Sequence, residues 1–127
     1  MSFSAYLDQK LLEKAFLGQD FTIVARWCSL HTADPGKAGL NEAAGGPYVR
    51  QSADSYTPVD DSGNSKRVRN TIVLSFQVPA GTYTHVGLWD AQSGGNFLGG
   101  GALSAPATVS DGDFVIIREN DLSILQD

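Results

Sequence analysis

Apolar residues recur at the start of the chain with the spacing of a helix, and along the remainder with the spacing of strands. Leu7, Leu11 and Ala15, together with Leu12 and Phe16, fall three and four residues apart, which puts them on one stripe of an α-helix. Ser4 is suited to cap its start and Gly18 to supply the left-handed stop. A helix over about residues 4–17 is therefore predicted. So short a helix with one apolar stripe is marginal alone, and it must dock on its own sheet or on a neighbouring subunit.

The period changes after the helix. Phe21 to Leu30 (FTIVARWCSL) is rich in β-branched and aromatic residues. Ile23, Ala25, Trp27 and Ser29 alternate with Val24, Arg26, Cys28 and Leu30, which predicts a strand with at least one buried face. His31 to Pro47 turns to Ala, Gly, Pro and Asn and predicts a long irregular connection. Tyr48 to Ser52 is a short strand candidate. A second loop is predicted from Ala53 to Lys66, where Asp60-Asp61-Ser62-Gly63-Asn64 is a dense turn signal. The second half reads strand, turn, strand: Thr71 to Val78, Tyr83 to Asp90, Phe97 to Leu103, Phe114 to Arg118, and a last strand carrying Leu122 and Ile124. Pro106 confines its neighbourhood to an edge or a bulge.

About seven short strands divided by Gly, Pro and Asp turns, after one helix, favour an antiparallel β-sandwich or small barrel over any βαβ arrangement. The 127 residues suit a single domain, 1–127, with the sandwich over about residues 21–126. Charged residues make up 18% of the chain, below the globular average, as suits a surface packed against neighbours.

Charge and composition then remove function classes. The net charge is −5, and the one basic cluster, Lys66, Arg67 and Arg69, is offset by Asp60 and Asp61. A basic face able to release counterions from phosphates is missing, so no nucleic-acid partner is expected. Cys28 is the only cysteine; it sits in an apolar run and reads as a buried, inert thiol. The N-terminal residues lack the basic-then-apolar order of a signal peptide, and no apolar run approaches a bilayer span, so no membrane partner and synthesis in the cytoplasm are expected.

The candidate chemistry is thin. His31 and His85 are the only imidazoles. Ser29, His31 and Asp34 resemble triad members, but residues two and three apart in a strand-to-loop passage are not expected to converge, and a Gly-x-Ser-x-Gly elbow is absent. No HxH or HxxxH spacing supports a metal site. The Asp60 turn lacks the EF-hand register, and Gly94 to Gly101 lacks the Lys-Ser/Thr of a P-loop. No enzyme activity, catalytic residue, metal or cofactor is expected. Trp27 and Trp89 read as core aromatics rather than a carbohydrate platform.

Two stretches are more specific than their composition. One is Ser29-Leu30-His31-Thr32-Ala33-Asp34-Pro35-Gly36, followed by Gly39, Asn41-Glu42 and Gly45 to Gln51. The other is Thr84-His85-Val86-Gly87-Leu88-Trp89-Asp90-Ala91, followed by Ser93 to Leu98 and Gly101 to Leu103. In this order and spacing the chain resembles a family of small structural proteins of tailed bacteriophages, with members described as tail-fibre-like, minor tail or head-decoration proteins. The departures are local: Gly100-Gly101 replaces a bulkier residue, and Arg118-Glu119-Asn120-Asp121 replaces a small apolar turn.

The resemblance implies a virion protein that acts by assembly, as an exterior capsid decoration (cement) protein or a tail-fibre-type protein. Its partners would be other virion proteins, the major capsid protein or tail proteins. A homo-oligomer is expected, with three copies the first expectation because decoration proteins and fibres commonly sit on threefold axes. The alternative is a carbohydrate- or receptor-binding module using Trp89, Tyr83 and the glycine loops. Asp34 is positioned for an Asx turn, Pro35 fixes φ and Gly36 supplies the bend, and a rigid loop loses little entropy on docking. Leu7, Leu11 and Phe16 of the helix, with His31, Asp34 and Pro35 of this loop, are the expected docking residues.

Overall fold

The structure is a computed structural model that describes residues 2–63 and 65–126. These form one helix and ten strands. Strand β1 (Ser2–Phe3) leads into helix α1 (Ala5–Leu17), followed by β2 (Trp27–His31), β3 (Gln51–Ser52), β4 (Asp60–Ser62), β5 (Ser65–Arg69), β6 (Leu74–Gln77), β7 (Gly81–Trp89), β8 (Phe97–Val109), β9 (Phe114–Ile117) and β10 (Ser123–Gln126). The fold is mainly β with antiparallel pairing throughout, as the turn-punctuated alternation predicted.

The helix begins and ends where its capping residues require. Ser4 accepts a hydrogen bond from the Leu7 N–H at 3.0 Å, and Gly18 adopts a left-handed φ of 66°. No helix residue is buried, however. Leu7 and Leu11 are half-buried, whereas Leu12 and Phe16 point outward, so the apolar stripe is split between two faces.

A five-stranded sheet runs in the order β1-β8-β7-β2-β3. Strand β2 lies inside the sheet between β7 and β3 and is buried on both faces from Cys28 to His31. Cys28 and Leu30 enter the main core with Phe76, Val78, Leu74, Val115 and Ile117. The last five come from, or directly follow, the β6–β9 pair. In these strands Leu74, Phe76, Val115 and Ile117 face inward while Ser75, Gln77, Phe114 and Ile116 face out, the period-two rule of a half-buried sheet. Burial pushes the Cys28 thiol up to about 12, consistent with an inert residue. Asn70, also buried, donates to the carbonyls of Ile72 and Arg118 and accepts from the Leu122 N–H, clamping three segments.

Several boundaries differ from the sequence expectation. The strand expected over Phe21 to Leu30 begins only at Trp27, and the one expected over Tyr48 to Ser52 is reduced to Gln51–Ser52. The Ala53 to Lys66 loop contains a hairpin, β4–β5, which pairs with β10 in a three-stranded sheet; Asn64 of its turn lies outside the described residues. Charged residues dominate this hairpin, so hydrophobic alternation could not reveal it. Strand β8 continues through Pro106 to Val109. Its register explains how: Tyr83 pairs with Ala107 and His85 with Ala102, so Leu103 to Pro106 bulge opposite Thr84, which is where a strand tolerates proline.

Candidate functional site

The two specific sequence stretches meet in space. Strand β2 and strand β7 pair with His31 directly opposite His85 and Ser29 opposite Gly87. The connection from Thr32 to Glu42 folds back over the face of β2 away from the main core. Asp34 Oδ1 accepts from the Gly36 N–H at 2.8 Å, Gly36 takes φ 63°, and Pro35 is buried. This is the Asx turn the residues foretold.

Beneath the loop lies a closed polar chain. Trp89 Nε1–H donates to Ser29 Oγ at 2.9 Å, Ser29 Oγ lies 2.7 Å from His31 Nε2, and His31 Nδ1 lies 2.7 Å from the Leu40 carbonyl. The carbonyl can only accept, so Nδ1 carries the proton and donates. Nε2 is then the acceptor, and the Ser29 hydroxyl donates to it while accepting from the indole. Every group is satisfied with His31 neutral. Burial depresses its basicity, opposed by the Leu40 hydrogen bond and the Glu42 charge, and the net pKa is below the ordinary value.

The expectation that Ser29 and His31 would not converge is thus corrected. They are neighbours on one face of the strand, two residues apart, and period two brings their side chains together. Asp34 is not the third member: its carboxylate serves the turn, and a backbone carbonyl holds His31 instead. The serine and histidine are both fully buried, which denies a substrate access. Both imidazole nitrogens are occupied, so the adjacent His85 does not complete a metal pair with His31; its Nδ1 lies 2.7 Å from the Thr84 hydroxyl. Among the described residues no three His, Cys, Asp or Glu side chains gather as metal ligands, and no helix is long and apolar enough to cross a membrane.

A second network, centred on Arg50, was not visible in the sequence. Its guanidinium binds both oxygens of Glu42 at 2.9 Å, donates to the carbonyls of Ala91 and Gly94 at 2.8 Å, and stacks 3.8 Å from the Trp89 ring centre. Tyr48 donates to Glu42 at 2.7 Å and accepts from the Leu30 N–H. Desolvation pushes the Glu42 carboxyl up, but the bonds from Arg50 and Tyr48 outweigh it and hold it below its ordinary pKa. Bidentate, stacked use of arginine ties the β2–β3 connection to the β7–β8 turn. Trp89, stacked on Arg50 and tilted against Phe97, and Tyr83, 3% exposed and bonded to the Pro79 carbonyl, are both engaged by the protein's own packing.

With Ser29, His31 and Arg50 committed inward, the outward surface carries what remains. His31 and Pro35 lie inside the chain and fix the loop from below, while Asp34 is at the surface. The loop and helix join at the helix start: the Ala5 N–H donates to the Lys37 carbonyl, and Lys37 Nζ donates to the Phe3 carbonyl and to Asp8. The two expected docking elements are thus contiguous. Leu7 and Leu11 are partly covered, and the helix presents Leu12, Phe16 and Leu17 outward, Phe16 at 79% exposure. Val24 in the following linker is exposed as well.

Residues 2–125 match the protein family described as podophage GP4 fiber I protein gp80. Comparison with curated proteins finds no match. A family match spanning nearly the whole sequence, on a β-rich chain, identifies this protein as a member of the podophage GP4 fiber I gp80 family.

Proposed function

We propose that this chain is a tail-fibre-type structural component of a tailed-phage virion, folded as one domain and acting by being built into the particle. The observation that carries this reading is the apolar outer face of α1, where Leu12, Phe16 and Leu17 are 60%, 79% and 68% exposed. Its occupant is a second copy of the same chain. A fibre uses many copies, and a face that is apolar in one is apolar in its neighbours, so symmetric association covers all of them together. The assembling unit is a homo-oligomer of three copies, with other tail proteins as its further partners. The fibre description of the family favours the tail over capsid decoration.

The test is the composition of purified particles separated into heads and tails, read by mass spectrometry. The chain is expected in the tail fraction. Recovery with heads alone would move it to a decoration role, and absence from particles would overturn the reading.

A further inference from the structure

Strand β8 lies next to the outermost strand of its sheet, and that neighbour is very short. Ser2 pairs with Gly100 and Phe3 with Gly99, and the Ser4 N–H donates to the Leu98 carbonyl at 2.9 Å. Leu98 and Gly100 therefore turn their backbone groups toward β1. Backbone groups alternate sides along a strand, so Ala102 is the next residue to present its N–H and C=O on that side. Among the described residues no strand pairs with β8 there. Gly99 shows the closeness the edge allows, since a Cβ on it would sit 2.5 Å from the Ser2 carbonyl oxygen.

Alongside this bare stretch runs a cleft of about 330 Å³. Ala102, Leu103 and Ser104 form one wall, and Ile116 of β9 with Asp121 and Leu122 forms the other. Unpaired backbone polar groups need partners, and an edge with an apolar cleft beside it suits strand addition.

We propose that the β8 edge at Gly101–Ser104 is a strand-acceptor site that takes up an extended segment of another virion protein. The segment pairs its backbone with Ala102, seats an apolar side chain against Leu103 and Leu122, and brings a Lys or Arg to Asp121, the one ionisable group among the described lining residues. A folded second copy is the poorer occupant. From Leu103 the bulge, and then Pro106, interrupt the edge, devices that block sheet-to-sheet pairing, so the backbone on offer is short and suits a single extended segment. The proposal rests on the fibre reading above, because it needs a partner in the particle.

Hydrogen exchange of the full chain, free and within purified phage particles, tests it. The Ala102 amide is expected to exchange rapidly in the free protein and at least tenfold more slowly in the particle. Ala102→Pro removes an N–H that makes no bond within the chain's own ladder. It is expected to keep the wild-type melting temperature within a few degrees and to cut incorporation at least tenfold, whereas Ala102→Val incorporates normally. If the proline variant does not fold, exchange of the wild type decides alone. Unslowed exchange at Ala102 in particles that contain the chain would overturn the proposal while leaving the fibre reading intact. Protection that appears in the free protein as concentration rises would assign the edge to a second copy and overturn it too. Absence of the chain from particles would remove both readings.

Discussion

At the scale of single residues, the protein's most chemical-looking side chains serve to close its interior. A serine and a histidine in hydrogen-bond contact would suggest a nucleophile, yet this pair is sealed beneath the Asp34 turn, and its proton inventory closes only with a neutral imidazole. That state has a pH signature. The unfolded chain takes up a proton on His31 near its ordinary value of 6.5, while the folded chain takes it up only at lower pH. A depressed histidine contributes stability that is fully present above 6.5 and is lost as pH falls from there toward the folded value. Urea unfolding is expected to give a falling midpoint between pH 7.5 and 5.5. His31→Gln is expected to be less stable at pH 7.5, with the gap to wild type narrowing as pH drops. A constant gap across that range would show that His31 is not held neutral.

At the scale of elements, the helix and the later strands were legible because each carries its own signal: caps at Ser4 and Gly18, and alternation in Leu74, Phe76 and Val78. The β4–β5 hairpin was not, since Lys66, Arg67 and Arg69 pair with Asp60 and Asp61 instead of burying a face. The Arg50 clamp was equally hidden, because its partners Glu42, Ala91 and Gly94 are set by long-range packing. What the two motif stretches encode is the fit of a loop over a strand, and glycine is where that fit is tightest. A Cβ on Gly87 would lie 2.7 Å from both His31 Nε2 and Ser29 Oγ and 2.8 Å from the Phe97 ring. Gly87→Ala is expected to destabilise by about 2–3 kcal/mol, as overpacking does, and to shift Trp89 fluorescence as its bond to Ser29 is disturbed. Gly112→Ala is the control. That position has φ 82° with open space around it, so only backbone strain of about 1 kcal/mol is expected. Equal losses at the two sites would argue against a tight polar layer under the loop.

At the scale of the whole molecule, the sheet order β1-β8-β7-β2-β3 joins segments from both ends of the chain, and no local pattern announces it. The same long-range order decides which half of the helix stripe is spare. Leu7 packs on the core and Leu11 is half-buried, whereas Leu12 and Phe16 stay exposed. The double variant Leu12→Gln, Phe16→Gln separates folding from association. Glutamine is nearly as good a helix former as leucine, and neither side chain is buried within the chain. The isolated variant should therefore unfold within about 0.5 kcal/mol of wild type, as surface changes generally do. Association is different. Burying a large apolar side chain is worth at least about 1.5 kcal/mol, so losing two per copy should weaken each contact by about 3 kcal/mol, or roughly 100-fold. Light scattering is expected to give three times the 13.5 kDa chain mass for wild type and a mass near the single chain for the variant at the same concentration. If both scatter as the same oligomer, the helix face is not what joins the copies; if wild type is itself monomeric at high concentration, the homo-oligomer falls.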